Sequence, residues 1–114
     1  MKKIKESRKF ERINQGIQTQ CNTYYVEDKL IEANPPIDLL MMNISEGGIG
    51  LVSHEKLPVD SVLILNVDFG LETYKIMAKV VWSKKNENEF KSGLEFVSIP
   101  YALKEALSLY KNLN

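Results

Sequence analysis

The sequence predicts an all-β fold: a small antiparallel β-barrel, closed or nearly closed, with an α-helix at its C-terminal end. Three observations carry the prediction. Short stretches of alternating apolar and polar residues follow one another at close spacing, with Gly, Pro, Asn and Ser between them, as in barrels built from hairpins. The apolar period lengthens from two to three-and-four only after Pro100. At 114 residues the chain encloses one continuous core with no need of disulfides or a metal.

Taken in order, residues 1–15 are expected to form a flexible basic arm, and residues 16–114 the barrel with its helix. The arm runs from Lys2 to Arg12 and ends at Ile13-Asn14-Gln15-Gly16. From Ile17 the pattern is strand-like, with Ile17, Thr19, Cys21, Thr23 and Tyr25 sharing one face. Asn34-Pro35-Pro36 reads as a breaker. The apolar run Leu39-Leu40-Met41-Met42 follows, ends at Asn43-Ile44-Ser45-Glu46-Gly47-Gly48, and pairs back with Ile49 to Ser53. Ser61 to Phe69 is a strand turned by Gly70-Leu71-Glu72. Tyr74 to Trp82 places Tyr74, Ile76, Ala78, Val80 and Trp82 on one side and Lys75 and Lys79 on the other, so Trp82 reads as core. Lys84 to Glu89 is a polar hairpin connection, and Phe90 to Val97 puts Phe90, Leu94 and Phe96 on one face, with Phe96 also core. Leu103, Ala106, Leu107, Tyr110 and Leu113 then recur at helical spacing. Pro100 stands near the start of that helix, where its missing N–H costs nothing, and Ser98 is a candidate cap.

Composition narrows the function. Fifteen Lys+Arg balance fifteen Asp+Glu, which argues against whole-surface attraction to nucleic acid or anionic lipid. The charge is unevenly placed: Lys2, Lys3, Lys5, Arg8, Lys9 and Arg12 against Glu6 and Glu11 leave residues 1–12 at +4 and the rest at −4. A basic arm on a mildly acidic body suits a compact anionic partner. Cys21 and His54 are the only residues of their kinds, so no disulfide framework, Cys-based zinc site or nucleophilic dyad is expected. Paired carboxylates such as Glu27-Asp28 or Glu87/Glu89 lie in polar, turn-like stretches, and no triad, P-loop or dinucleotide fingerprint is present. The expectation is a protein that is not an enzyme and needs no cofactor. With no apolar leader or spanning segment in the sequence, it is also expected to be cytoplasmic, with no membrane insertion.

Two short constellations remain. Thirteen lysines stand against two arginines, Arg8 and Arg12, both in the arm. A guanidinium offers a planar fork of donors matched to phosphate oxygens or to the O6/N7 edge of guanine, and it stacks on purines; lysine supplies a point charge. The second constellation is Asn43-x-Ser45-x-x-Gly48. Asn and Ser two apart on a strand share a face, and their donors and acceptors suit the edge of a base. Gly48, after Gly47, allows a sharp turn and leaves no side chain in a ligand's way. Taken alone, the same residues also read as an ordinary tight turn.

An R-x-x-x-R arm followed about thirty residues later by [DN]-x-S-x-x-G resembles the PilZ domain family. The resemblance continues through Ile44 to Leu51, Val62 to Val67, Lys79-Val80-Val81-Trp82 and Gly93-Leu94-Glu95-Phe96, and so spans Arg8 to about Leu113. It implies a six-stranded antiparallel β-barrel with a C-terminal helix, and a bacterial cytoplasmic receptor that binds the second messenger cyclic di-GMP. By the same resemblance Arg8 and Arg12 contact phosphates and the guanine Hoogsteen edge, and Lys9 adds charge. Asn43 and Ser45 meet the guanine or adjoining backbone from the barrel face, and Gly48 keeps the loop compact. Ordering of the arm on binding would then present a surface to a downstream protein. Two positions depart from the family pattern: Asn43 stands where Asp is common, and Ser7 where many members carry another Arg.

Three other readings stand beside this one. A PilZ-like protein-interaction module that binds no nucleotide has the same fold, but here both motifs are intact. A nucleic-acid-binding barrel would interleave aromatics with basic residues, as Tyr24, Tyr25 and Tyr74 with Lys75 and Lys79 could be; alternation instead puts most aromatics with the core. Catalysis would have to work with a single histidine.

Overall fold

The computed structural model describes residues 16–113. Six strands, β1 (Ile17–Val26), β2 (Lys29–Ile44), β3 (Gly48–Ser53), β4 (Val62–Phe69), β5 (Glu72–Asn86) and β6 (Glu89–Ser98), precede one helix, α1 (Tyr101–Leu113). The strands close into an antiparallel barrel in the order β1-β2-β3-β6-β5-β4. Alternation dictates what fills it. On β4, Leu63, Leu65 and Val67 point inward and are buried, while Asn66 and Asp68, on either side of Val67, face water. Three hairpins turn through two-residue loops whose first residue, Glu27, Gly70 or Glu87, has φ of 58°, 69° or 61°. That left-handed backbone matches the twist of the flanking strands, and only at Gly70 does it come without steric cost.

The helix starts after β6, with the N–H groups of Leu103 and Lys104 donating to the Pro100 carbonyl. Leu103 and Leu107, one turn apart, are buried in the core cluster, each stabilising the fold by about 1.5–3 kcal/mol. Pro100 stands where expected. Ser98 does not cap the helix; it pairs with Met77 as the last residue of β6. The side chain of Tyr110 lies outside the described residues.

Several sequence expectations change for one reason, which is that β-bulges interrupt strict alternation. Pro35 and Pro36 do not break the chain. They lie inside β2, in a stretch that bulges opposite Asn22 between the pairs Cys21–Ile37 and Thr23–Glu32, and the Asn34–Pro35 peptide is cis. No ladder bond is asked of either proline there. The same irregularity in β1 shifts the inward face, so Tyr24, not Tyr25, packs against the core behind the buried Cys21. The connection expected over Lys84 to Glu89 is shorter, because the strands continue to Asn86 and resume at Glu89. Phe96 does pack against the core, but Trp82 does not: it is 49% exposed on the outer face.

Candidate functional site

Trp82 is turned outward by the register shift between Val80 and Trp82, where Val80 pairs with Leu94 but Trp82 pairs with Gly93. Val80 keeps the inward phase of Ile76 and Ala78; one extra residue in β5 reverses the phase for Trp82. The same device acts on the other side. Leu39 and Met41 point inward, and strict alternation would bury Asn43 with them. A register shift between Met41 and Asn43 brings Asn43 opposite Gly50 and leaves it exposed. Two bulges thus aim one polar and one aromatic side chain at the same outer face.

These residues form a row across four strands, Asn43 on β2, Gly50 on β3, Gly93 on β6 and Trp82 on β5, each paired with the next. At both central positions the absence of a side chain leaves room for the neighbour's. A β-carbon on Gly50 would lie 3.0 Å from both the nitrogen and the oxygen of the Asn43 carboxamide. One on Gly93 would lie 2.2 Å from Trp82 Nε1 and 2.5 Å from Cε2. The carboxamide therefore lies over Gly50 and the indole over Gly93, two planar groups side by side on the sheet.

At the head of the row the β2–β3 turn is built by its own hydrogen bonds. The Ser45 N–H donates to the Gly48 carbonyl at 2.9 Å, and Ser45 Oγ accepts from the Gly47 N–H at 3.3 Å. Gly48 also has a packing reason for being glycine: a β-carbon there would meet the Leu94 carbonyl oxygen at 2.0 Å. It lets β3 approach β6 and so holds the turn against the groove. Asn43, Ser45, Gly48, Val81, Trp82 and Lys91 all line a single groove of about 520 Å³, a size that suits a small organic ligand. A second cavity of about 460 Å³ adjoins it across Val52 and includes Gln20, Asp38 and His54, with Gln20 Nε2 donating to Asp38 at 2.7 Å.

Of the residues singled out in the sequence, the structure brings Asn43, Ser45 and Gly48 together at one groove. Arg8, Lys9 and Arg12 lie outside the described residues. The point where their segment joins the barrel is described: Ile17 pairs with Met41, so the chain enters β1 beside the end of β2 that carries Asn43. Gly16 lies four residue steps after Arg12 and eight after Arg8, a reach of at most ~14 and ~28 Å. Counted from β1, the row begins one strand spacing away at Asn43 and ends four spacings away at Trp82, roughly 19 Å, so the chain between Arg8 and Gly16 is long enough to span the row, whereas that between Arg12 and Gly16 covers its Asn43 side. Sequence reasoning missed Trp82, Gly50, Gly93 and Lys91. The glycines were visible as neighbours of the two motifs, Gly48-Ile49-Gly50 and Gly93-Leu94-Glu95-Phe96, but their role follows only from the pairing of strands.

Among the described residues no group of three or more His, Cys, Asp and Glu side chains is placed to hold a metal ion, and no helix is long and apolar enough to cross a membrane. Burial raises the pKa of the Cys21 thiol above its ordinary value near 9.0, against backbone hydrogen bonds that lower it, and this thiol is inside the barrel, away from the groove.

The family model described as PilZ domain matches residues 6–111, essentially the whole chain. No curated protein and no solved structure matches it.

Proposed function

We propose that this chain, which belongs to the PilZ domain family, is a receptor for cyclic di-GMP that clamps the nucleotide between its arginine-bearing arm and the outer face of the barrel. The observation that carries the reading is the row Asn43–Gly50–Gly93–Trp82. A half-exposed indole is a stacking floor for a purine, and base–aromatic stacking contributes about 1–3 kcal/mol per base. Beside it Asn43 offers a donor and an acceptor to the edge of that base, with Ser45 on the same face. Arg8 and Arg12 supply what the groove lacks, guanidiniums that bind phosphate in a bidentate way and cover the second face of the base. Lys9 adds charge. Closing the arm over the ligand changes the shape and charge of this side of the barrel, and a partner protein would read that change. No step of this cycle requires catalysis, and the reading places the protein in the bacterial cytoplasm, where a second messenger acts.

The test is isothermal titration calorimetry with cyclic di-GMP, with GTP as control, on the wild type and on Arg8→Ala and Asn43→Ala. Saturable binding by the wild type that falls at least tenfold in both variants is the expected result. No heat at high micromolar ligand would discard the nucleotide and leave a barrel that works by binding protein alone.

A further inference from the structure

The row next to the one just described is Leu40, Val52, Lys91 and Lys84, again each paired with the next across β2, β3, β6 and β5, with Val52 buried and the two lysines at the exposed end. Lys91 and Lys84 therefore face each other directly. They stand two residues along their strands from Gly93 and Trp82, about 7 Å away at the rise of a β-strand. Both are exposed, and Lys91 lines the groove that holds Asn43 and Trp82. Like charges opposite one another on neighbouring strands are destabilising. Elsewhere on the same two strands that cost is avoided, with Lys79 opposite Glu95. Among the described residues neither Lys84 nor Lys91 is ion-paired. Protection of a sheet edge does not account for Lys91, which lies on a strand flanked by β3 on one side and β5 on the other.

We infer that Lys91 and Lys84 form a fixed phosphate position at the foot of the groove, holding one phosphodiester of the ligand whose base stacks on Trp82. The inference rests on the receptor reading above and deepens it. A cyclic dinucleotide carries two phosphodiesters. On the receptor reading the arginines of the arm meet one, and the barrel meets the other with a lysine pair that has no ion partner among the described residues. Two ammonium groups are point charges without directional demands, which suits a site where guanidinium recognition comes from the arm. The position would then favour a cyclic dinucleotide over a nucleoside monophosphate, which cannot place a phosphate at both ends of the groove.

The experiment is a titration with cyclic di-GMP followed by Trp82 fluorescence at several KCl concentrations. It compares the wild type with Lys84→Gln, Lys91→Gln, the double variant, Lys91→Arg and Arg8→Ala. The double variant is expected to bind about tenfold more weakly or worse, with a shallower dependence of affinity on salt because fewer cations meet phosphate. Lys91→Arg should bind like the wild type. Without ligand, the double variant should melt no lower than the wild type, since a repulsive pair has been removed. Double-variant binding within twofold of wild type at an unchanged salt slope overturns the inference; the receptor reading then survives on wild-type binding and its loss in Arg8→Ala. A double variant that binds weakly but melts lower, with Lys91→Arg equally weak, also overturns it, because the positions would then be structural. If the wild type does not bind, the receptor reading fails and this inference fails with it.

Discussion

Replacing Gly48 and Gly93 in turn by alanine makes one chemical change at two places where the structure dictates opposite consequences. At Gly48 the new β-carbon meets only backbone: the Leu94 carbonyl oxygen at 2.0 Å, the Leu94 carbonyl carbon at 3.1 Å and Glu95 Cα at 3.3 Å. Carbon–oxygen contacts between strands settle near 3.3–3.6 Å, so β3 and β6 must part by roughly 1.3 Å at that point. The barrel is closed, so the displacement cannot be released at a free edge. It falls on the bonds from the Ser45 N–H to the Gly48 carbonyl and from the Phe96 N–H to the Gly47 carbonyl. With about 0.5–1.5 kcal/mol net for each bond, and more for a backbone group left unpaired, Gly48→Ala should cost about 2–4 kcal/mol. That corresponds to a fall in Tm of roughly 10–20 °C for a domain of this size. At Gly93 the three nearest atoms all belong to the indole of Trp82, a half-exposed side chain free to swing toward solvent. The lost ring contact is partly offset by the roughly 0.5–1 kcal/mol that alanine recovers over glycine in a strand, leaving a net cost within about 1 kcal/mol. Urea denaturation followed by circular dichroism measures both. Tryptophan emission should shift to the red in Gly93→Ala alone, and nucleotide binding should be lost in that variant although it is folded. The reasoning is refuted if Gly48→Ala is no less stable than Gly93→Ala.

Other substitutions test neighbouring parts of the structure. Trp82→Ala should leave stability within about 1 kcal/mol of wild type, since half the ring is already in water, and weaken cyclic di-GMP binding tenfold or more by calorimetry. On the helix, Leu103→Ala should cost about 2–4 kcal/mol and Leu109→Ala less than about 0.5 kcal/mol, because the first side chain is fully buried and the second is 63% exposed; thermal unfolding of the pair checks this. Cys21 should resist thiol reagents in the native state at pH 8 and react fully in urea. Its pKa is raised in the fold by burial, so the stability it contributes is complete below the unfolded value near 9.0 and is lost as pH rises from there through the folded value. Denaturation of wild type and Cys21→Ala between pH 7 and 11 should show the wild type losing stability faster above pH 9.

Much of the architecture was legible from local pattern. The period-two runs of β4, the first half of β5 and β6 gave strands with the right residues inward, and the change of period after Pro100 gave α1 with Leu103 and Leu107 on its buried face. These features depend on contacts between residues close in sequence and on the partition of side chains between water and core, both of which composition and spacing record directly. The Asn43-x-Ser45-x-x-Gly48 turn was legible for the same reason. Three things were not. The path of β2 through Pro35 and Pro36 depends on what lies opposite on β1. The outward turn of Trp82 depends on one extra residue between Val80 and Trp82, and the meeting of Lys91 with Lys84 on the register of the β5–β6 hairpin. A one-residue shift in register reverses every side chain beyond it, and register is fixed by the closure of the whole barrel. Local pattern sufficed for most of the strands, for the helix and for the short motif that carries polar side chains, because each is recorded in neighbouring residues. The alignment of two glycines on β3 and β6 with Asn43 and Trp82 came from long-range pairing, because it is a property of four strands held together and of no segment alone.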